Sequence, residues 1–266
     1  MKKSDILQLY DEQERRNSMH PSYQRETAAG VVRHVNLDPT RLSFISHSEL
    51  TTANADQIIQ EQIRWYREQV NGAGLEWKTY DHDTPPDLQR RLIAHGFEPE
   101  EREALLILDL ENCPDVYLQP VTADVRQVTT EGQFRQIAGI QTAVYNENFD
   151  WLTQQLSENV VAQPDYWGIY TAFVDGIPAC AAWISFPPNS DFAGLWGGAT
   201  RAEYRKKGLY TAVVAARAQE ALRRGYRFLT VDASDMSRPI LEKRGFQLLT
   251  YTTPFTWKPK IIGVKS

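Results

Sequence analysis

Three cationic residues and a glycine stand together at residues 205–208, which read Arg-Lys-Lys-Gly. Apolar residues recur at helical spacing directly after them, and this predicts a helix that ends near Gly225. The first amides of a helix have no partner within it, and the positive end of its dipole favours an anion. Gly208 permits a close approach, so the segment predicts a pyrophosphate site. The residues that we expect to form it are Arg205, Lys206, Lys207, Gly208, Leu209, Tyr210 and Thr211.

This segment lies between two predicted strands, at residues 192–200 and 228–233. The first strand ends in small residues, Gly197 to Thr200, which suit the close approach of a ligand to the backbone. After the second strand, residues 239–244 predict a short helix closed by a glycine and a phenylalanine. A strand, a cationic loop, a helix and a strand therefore carry the candidate chemistry.

Residues 205–210 resemble the R-x-x-G-x-[GA] loop of the GNAT superfamily of acyl-CoA-dependent N-acetyltransferases, and residues 240–246 resemble its L-Y-E-K-x-G-F helix. The resemblance extends over residues 116–258. Tyr210 departs from the small residue of the loop motif. The resemblance implies that acetyl-CoA is the acyl donor and a primary amine the acceptor. It also implies that the pantetheine arm pairs with the strand end and contacts a residue after the next strand. The matching positions are Gly198, Ala199, Thr200 and Ser234.

The catalytic groups are less well marked than the loop. The family commonly uses a tyrosine as general acid, and Leu241 occupies that position, so either another hydroxyl substitutes or CoA leaves as a thiolate. All five histidines lie in the first half of the chain, so the base is a carboxylate or water. Glu147 and Asp150 stand where the family lines its acceptor cleft, although both also suit a solvated helix end. Nearby tryptophans suit either a pocket wall or the core and are given no role: Trp151, Trp183 and Trp196.

Two other functions remain open at this point. A non-catalytic acyl-CoA sensor would keep the phosphate loop and lose the acid, as Leu241 suggests. An acyltransferase that acts on amino acids with another acyl-CoA would suit a duplicated architecture.

Evidence for such a duplication comes from residues 92–97 and 241–246, which both end a helix with glycine and phenylalanine. The fold class that we expect is α/β (α+β), with tandem GNAT-like domains that each hold a mixed, mostly antiparallel sheet flanked by helices. We expect a degenerate domain at 1–112 that does not bind CoA, the transferase domain at 116–258, and a tail at 259–266. The segment 48–54 lacks the cations and the glycine of the loop, although an unrelated α/β cap is an alternative for this half.

The predicted elements of the first half are helices at 4–19, 55–70 and 84–95 and strands at 31–35, 42–47, 75–80 and 104–110. The second half adds helices at 131–148 and 150–161, a hairpin about Asp175-Gly176, and a last strand at 248–257.

Composition limits the remaining possibilities. The formal net charge is −5, and no basic patch is interleaved with aromatic residues, so nucleic acid is not an expected partner. No apolar run approaches a membrane span of about 18 residues, so we expect a soluble, cytoplasmic protein with no membrane partner. Cys113 and Cys180 lack ligand-spaced partners, which predicts reduced thiols and no metal. A homodimer is left open.

Overall fold

The computed structural model describes residues 1–36, 38–70 and 72–259, and these form two compact units. The first unit contains Met1–Leu106, Asp232–Ile240 and the chain from Leu248 onward. The second contains Ile107–Val231 and Leu241–Gln247. The domain limits 1–112 and 116–258 stay a prediction, and the predicted tail at 259–266 lies outside the described residues except for Pro259.

The first unit is built on a mixed sheet. Its helices are α1 (Lys3–Tyr10), which continues as a π-helix over Asp11–Arg16, then α2 (Ala55–Gln69) and α3 (Leu88–Ala94). Its strands are β1 (Tyr23–Ala28), β2 (Val31–Asn36), β3 (Ser43–Ser48), β4 (Leu75–Tyr80) and β5 (Glu98–Pro99), and β12 (Gln247–Trp257) joins them from the end of the chain. The order is β1-β2-β3-β4-β12, and β5 pairs with β12. Only the pair of β3 and β4 is parallel among these recorded pairs.

The second unit has a sheet of the same kind. After β6 (Glu103–Asp109) come β7 (Asp124–Gln127), α4 (Glu131–Tyr145), α5 (Asp150–Ala162), β8 (Trp167–Val174), β9 (Ile177–Ser185), β10 (Phe192–Thr200), α6 (Leu209–Arg223), β11 (Phe228–Ala233) and α7 (Arg238–Glu242). The order is β11-β10-β9-β8-β7, and β10 with β11 is the parallel pair. The mixed, mostly antiparallel sheets flanked by helices are therefore as predicted.

Both units contain the same crossover, in which a helix of 15 residues joins two parallel strands. The parallel pairing is short in each case. In the first unit it runs from Ser43 opposite Leu75 to Ile45 opposite Trp77, although β3 continues to Ser48. In the second it ends at Gly194, although β10 continues to Thr200. The strands of each crossover thus separate beyond the pairing recorded for these described residues. The repeated topology is what an internal duplication produces.

The opening between β3 and β4 is filled by the guanidinium of Arg15, which is 1 % exposed. Its Nε donates to the carbonyl of Ser46, the residue after the last paired position of β3, at 3.2 Å. Its other nitrogens contact Asp11 at 2.7 Å and Asp83 at 2.6 Å. The guanidinium carbon lies 3.7 Å from the ring centre of Tyr80, at the end of β4. The π-helix that carries Arg15 therefore supplies a hydrogen-bond partner for one backbone group of the separated strands.

Several elements were not predicted from the sequence. The strands β1 and β7 have the polar sequences Tyr-Gln-Arg-Glu-Thr-Ala and Asp-Val-Arg-Gln and lie at the edges of their sheets. An edge strand that faces solvent on both sides lacks the alternation of apolar and polar residues by which a strand is predicted from sequence. The third helix was wrong at its start, because the prolines at 85 and 86 precede α3 as a turn. The first helix was too long by a few residues, since it ends at Arg16.

Burial in the first unit generates a prediction about pH. The imidazole of His34 is 0 % exposed, stacks on Phe44 with ring centres 4.6 Å apart, and has its Nε2 at 3.1 Å from the hydroxyls of Ser18 and Ser46. Burial lowers the pKa of His34 to about 3 and that of the neighbouring His20 to about 4. An unfolded histidine has a pKa of about 6.5, so the unfolded chain takes up these protons first as the pH falls.

We therefore expect the free energy of unfolding to fall as the pH drops from about 6.5 toward 3, by up to about 1.4 kcal/mol per pH unit for each of the two histidines. Urea unfolding of wild type and His34→Phe at pH 7.5 and pH 5.5 tests this. The variant, which cannot titrate, should lose less stability than wild type between the two pH values. Equal losses would show that His34 is not held neutral.

Candidate active site

The cationic loop begins with a 3-10 turn over Ala202–Tyr204 and ends at Gly208, the N-cap of α6. Two residues have left-handed backbone, Lys206 with φ 62° and Gly208 with φ 78°. Ala212 is the first residue of α6 to donate back along the helix, to the Gly208 carbonyl at 3.0 Å. The amides of the turn before it face outward without helical acceptors. A Cβ at Gly208 would meet no other atom within 4 Å, so space for an anion lies over this end of the helix.

The side chains of the loop divide into two groups. Arg205, Lys206 and Lys207 are exposed. The Nε of Arg205 donates to the carbonyl of Thr200 at 3.2 Å, which ties the loop to the end of β10. Leu209 is buried in the core and thus anchors the first turn of α6, while Thr211 is half-buried. The loop therefore presents its cations and its free amides while its apolar side chain holds it in place.

Tyr210, the residue that departs from the family motif, packs against β10. Its Cε2 lies 2.7 Å from where a Cβ on Gly198 would be, so the missing side chain of Gly198 makes room for this ring. Burial raises the pKa of the Tyr210 hydroxyl. The family motif has a small residue at the position of Tyr210 on the helix. Here the helix carries the large residue, and the small residue that makes room for it is Gly198 on β10. Gly198, Ala199 and Thr200 are expected to pair with pantetheine through their backbone groups, and this pairing stays a prediction.

A β-bulge interrupts the strand just before these residues. Trp196 is opposite Trp183 on β9, but Ala199 is opposite Ala181, so β10 has one extra residue between them. Gly197 has φ 60° at this point, and a Cβ there would lie 2.0 Å from the Trp183 ring. Only glycine fits both conditions.

The bulge is also held by a hydrogen bond from α4. The Nε2 of Gln141, which is buried, donates to the carbonyl of Gly197 at 2.6 Å. The bulge is therefore fixed by a helix on one side and by an aromatic ring on the other.

A cavity of about 320 Å³ opens beside the bulge. Four aromatic rings, one carboxylate and two amides dominate its lining, which consists of Gln141, Tyr145, Glu147, Phe149, Trp151, Leu152, Gln155, Trp183 and Gly197. The elements that position them are the end of α4, the start of α5 and the strands β9 and β10. This cavity lies wholly within the second unit.

Of the two predicted catalytic carboxylates, only Glu147 lines the cavity. It is exposed and follows Asn146, which ends α4 in left-handed conformation with φ 58°. Asp150 lies outside this lining and begins α5, where its amide donates to the Asn148 side chain at 2.7 Å. The structure therefore places Glu147, not Asp150, beside the bulge. Both catalytic roles stay predictions.

Sequence reasoning missed most of the cavity wall. Trp151 and Trp183, to which the sequence analysis assigns no role, line the cavity. Trp196 is not among the lining residues, and its Nε1 donates to the Ser185 hydroxyl at 2.9 Å. Gln141 and Gln155 were not considered at all. A buried glutamine on the apolar face of a predicted helix is the signal that could have singled out Gln141.

Two further residues from the sequence analysis lie outside this arrangement. Ser234 follows β11 and counts with the first unit, where its hydroxyl is 3.3 Å from that of Ser237. Its contact with pantetheine therefore stays a prediction. Leu241, in α7, is 1 % exposed. It has no proton to donate, so the position of the family's tyrosine offers no acid here.

Neither a metal site nor a membrane span is found in the part of the chain that the structure describes. Residues 1–36, 38–70 and 72–259 contain no group of three or more His, Cys, Asp or Glu side chains placed to hold a metal ion. None of the helices in these ranges combines the length and the apolar composition of a membrane crossing. Cys113 and Cys180 are free thiols.

A sheet with a separated parallel pair, a bulged strand and a helix that begins in the loop after it is typical of one class of protein, the acyl-CoA-dependent transferases of GNAT type. Comparison with family models agrees, because residues 133–246 match the model of the acetyltransferase (GNAT) family. This part of the chain belongs to the GNAT family, and its membership implies acyl transfer from an acyl-CoA.

Solved structures extend the likeness to the whole chain. A GCN5-related N-acetyltransferase from Kribbella flavida is 15% identical, with a TM-score of 0.66 over 97% of this chain and 94% of that one. A tandem GNAT protein from the clavulanic acid biosynthesis pathway is 13% identical, with a TM-score of 0.62 over 91% and 85%. At these identities the likeness concerns the fold, and the predicted tandem GNAT-like architecture is confirmed. No curated protein matched the chain.

The packing of Tyr210 on Gly198 can be tested directly. Gly198→Ala should lower the free energy of unfolding by about 1–3 kcal/mol, because the added methyl overlaps the ring. In a Tyr210→Ala background the same substitution should cost much less, and a double-mutant cycle from urea unfolding measures the difference. Gly132→Ala is the control, since a Cβ there meets nothing within 4 Å. Additive costs would mean that the ring does not occupy this space.

Proposed function

We propose that the chain is an N-acetyltransferase that moves the acetyl group of acetyl-CoA to a primary amine. The observation that carries this proposal is the position of the cavity beside the bulge of β10, on the strand that leads into the anion site of α6. A donor bound with its pyrophosphate at Gly208 and its arm along Thr200, Ala199 and Gly198 would bring its thioester toward Gly197. An acceptor in the cavity would then reach it from the other side.

An amine that enters as ammonium must lose two protons to become an amide, one before it attacks the thioester and one after. It gives the first proton to Glu147, directly or through a water. The free amine nitrogen then bonds to the carbonyl carbon of the acetyl group, and the carbon–sulfur bond breaks. Leu241 donates nothing, so the sulfur leaves as a thiolate, which a thiol pKa of about 8.5 allows, or takes a proton from another hydroxyl. The second proton leaves the nitrogen after the attack and goes to the departing sulfur or to water, so the products are the amide and CoA.

The first unit is proposed not to bind CoA. Arg15 occupies the opening between β3 and β4 that corresponds to the pantetheine opening of the second unit. The segment 48–54 before α2 carries Glu49, which is ion-paired with Arg16, where the second unit carries cations. We therefore expect one acetyl-CoA per chain. The cytoplasmic location and the homodimer stay predictions of the sequence.

The buried Leu241 favours one alternative, a sensor that binds acyl-CoA without turnover. The duplicated topology favours another, an acyltransferase that takes amino acids and a different acyl-CoA. Release of CoA thiol, followed with a panel of amines, amino acids and acyl-CoAs, separates the three. Acetyl-dependent thiol release with a primary amine supports the proposal, and binding without release supports the sensor.

The anion site generates a prediction about Gly208. Gly208→Asp should lower acetyl-CoA affinity at least about tenfold in calorimetry, because its carboxylate stands against the pyrophosphate. Gly208→Ala carries the same backbone strain without the charge. Gly225→Asp carries the same charge and a positive φ, with open space, at the other end of α6. Gly225→Asp should bind nearly as wild type does, and the affinity of Gly208→Ala should lie between those of wild type and Gly208→Asp. Wild-type affinity in Gly208→Asp would exclude the loop from the site.

The position of Glu147 generates a prediction about the base. Glu147→Gln should lower kcat by about 10²- to 10⁴-fold while leaving acetyl-CoA affinity nearly unchanged, since general-base steps contribute this much. Asp150→Asn is the companion test of the second predicted carboxylate, and we expect a smaller loss because Asp150 lies outside the cavity lining. Stopped assays of thiol release across pH measure both. A loss below threefold in Glu147→Gln would assign the base to water or to another residue.

A further inference from the structure

The lining of the cavity beside Gly197 bears on the class of acceptor, and an inference from it rests on the proposed function. Three rings of the lining form a continuous row: the ring centres of Tyr145 and Phe149 are 5.8 Å apart, as are those of Phe149 and Trp151. Trp183 provides a fourth ring at the bulge. Tyr145 is 46% exposed and Trp151 57% exposed, so two large aromatic surfaces of this row are uncovered in the protein alone.

The charged groups of the cavity are few. Glu147 is the one carboxylate among its lining residues, all of which are described, and none of them carries a positive charge. One N–H of the Gln141 amide donates to Gly197, which leaves its carbonyl oxygen and its second N–H, both uncharged, for a ligand. A ligand with one ammonium group would find a carboxylate and the faces of aromatic rings, both of which attract cations. A carboxylate on the ligand would find no cation in this lining.

The size of the cavity limits the ligand further. About 320 Å³ is at the lower end of the range for small-molecule pockets and has room for one ring and a short chain. An aromatic body would cover the exposed rings through offset or edge-to-face contacts. A small polar amine would leave them in water.

We infer that the acceptor is a small monoamine with an aromatic or similarly flat apolar body, whose ammonium lies at Glu147 and whose body packs on the row formed by Tyr145, Phe149 and Trp151. This substrate class differs from amino acids, which carry a carboxylate, and from polyamines and amino sugars, which carry more charge or more hydroxyl groups. Trp151 is a specificity-determining residue in this arrangement, because it touches the body of the acceptor and not its nitrogen.

The experiment compares four acceptors with the full-length chain at saturating acetyl-CoA: 2-phenylethylamine, phenylalanine, ethanolamine and spermidine. Phenylalanine differs from the first by one carboxylate, and ethanolamine lacks the ring. We expect kcat/KM for 2-phenylethylamine to exceed that of each other acceptor by at least about tenfold. Calorimetry of 2-phenylethylamine in the absence of acetyl-CoA gives a readout of the cavity that does not need turnover.

Three variants locate the effect. Trp151→Ala should raise KM for 2-phenylethylamine about tenfold or more with a smaller change in kcat and no change in acetyl-CoA affinity, and Trp151→Phe should restore most of the loss. Val161→Ala is the control, since Val161 is an exposed apolar residue of the same helix outside the cavity lining. It should behave as wild type.

The possible results test the inferred acceptor class and the transferase proposal separately. Turnover in which phenylalanine, ethanolamine or spermidine equals or exceeds 2-phenylethylamine overturns the inferred acceptor class and leaves the transferase proposal standing. Absence of turnover, with binding of 2-phenylethylamine that Trp151→Ala weakens, supports the inferred class and overturns the transferase proposal. Absence of both turnover and binding overturns both.

Discussion

The separation of two parallel strands is the constraint on which both units depend. In each crossover the parallel pairing covers three residue pairs and then stops, although the first strand of the pair runs on. A buried backbone group without a partner costs about 1–3 kcal/mol, so an opening of this kind has to be filled by something polar. The first unit fills it with Arg15, whose buried charge is balanced by Asp11 and Asp83. In the second unit we propose that the acyl-CoA fills it, next to the amino-terminal amides of α6.

Glycines paired with aromatic rings fix the shape of the second opening. The ring of Trp183 takes the space over Gly197, and the ring of Tyr210 takes the space over Gly198. One of these rings comes from β9 and the other from the first turn of α6. Trp183 also lines the cavity, and a change in that ring would therefore alter the bulge and the acceptor pocket together. The catalytic geometry thus depends on packing as much as on hydrogen bonds.

The features that could be predicted from the sequence are those formed by residues that are close together in the chain. The cationic loop could be predicted because its cations, its glycine and the helix start are contiguous between 205 and 211. The hairpin at 175–176 and the crossover helices follow from turn chemistry and periodicity in the same way. The pairing of the last strand with β4 joins residues far apart in the chain, such as Tyr80 and Thr252, and no local pattern specifies it. The aromatic cavity also escaped, because Gln141 and Trp151 meet Gly197 only after the helices pack. Tyr210 departs from the motif, and only the packed structure shows that its ring lies against Gly198.

Hydrogen–deuterium exchange of the full-length chain, with and without saturating acetyl-CoA, tests most directly whether the two openings differ in use. Amide exchange reports local opening and hydrogen bonding along the backbone. We expect acetyl-CoA to slow exchange at residues 198–200 and 209–211 and to leave residues 46–54 unchanged, because Arg15 already occupies the opening beside them. Slowed exchange at 46–54, or no change at 209–211, would contradict the assignment of the ligand to the second unit.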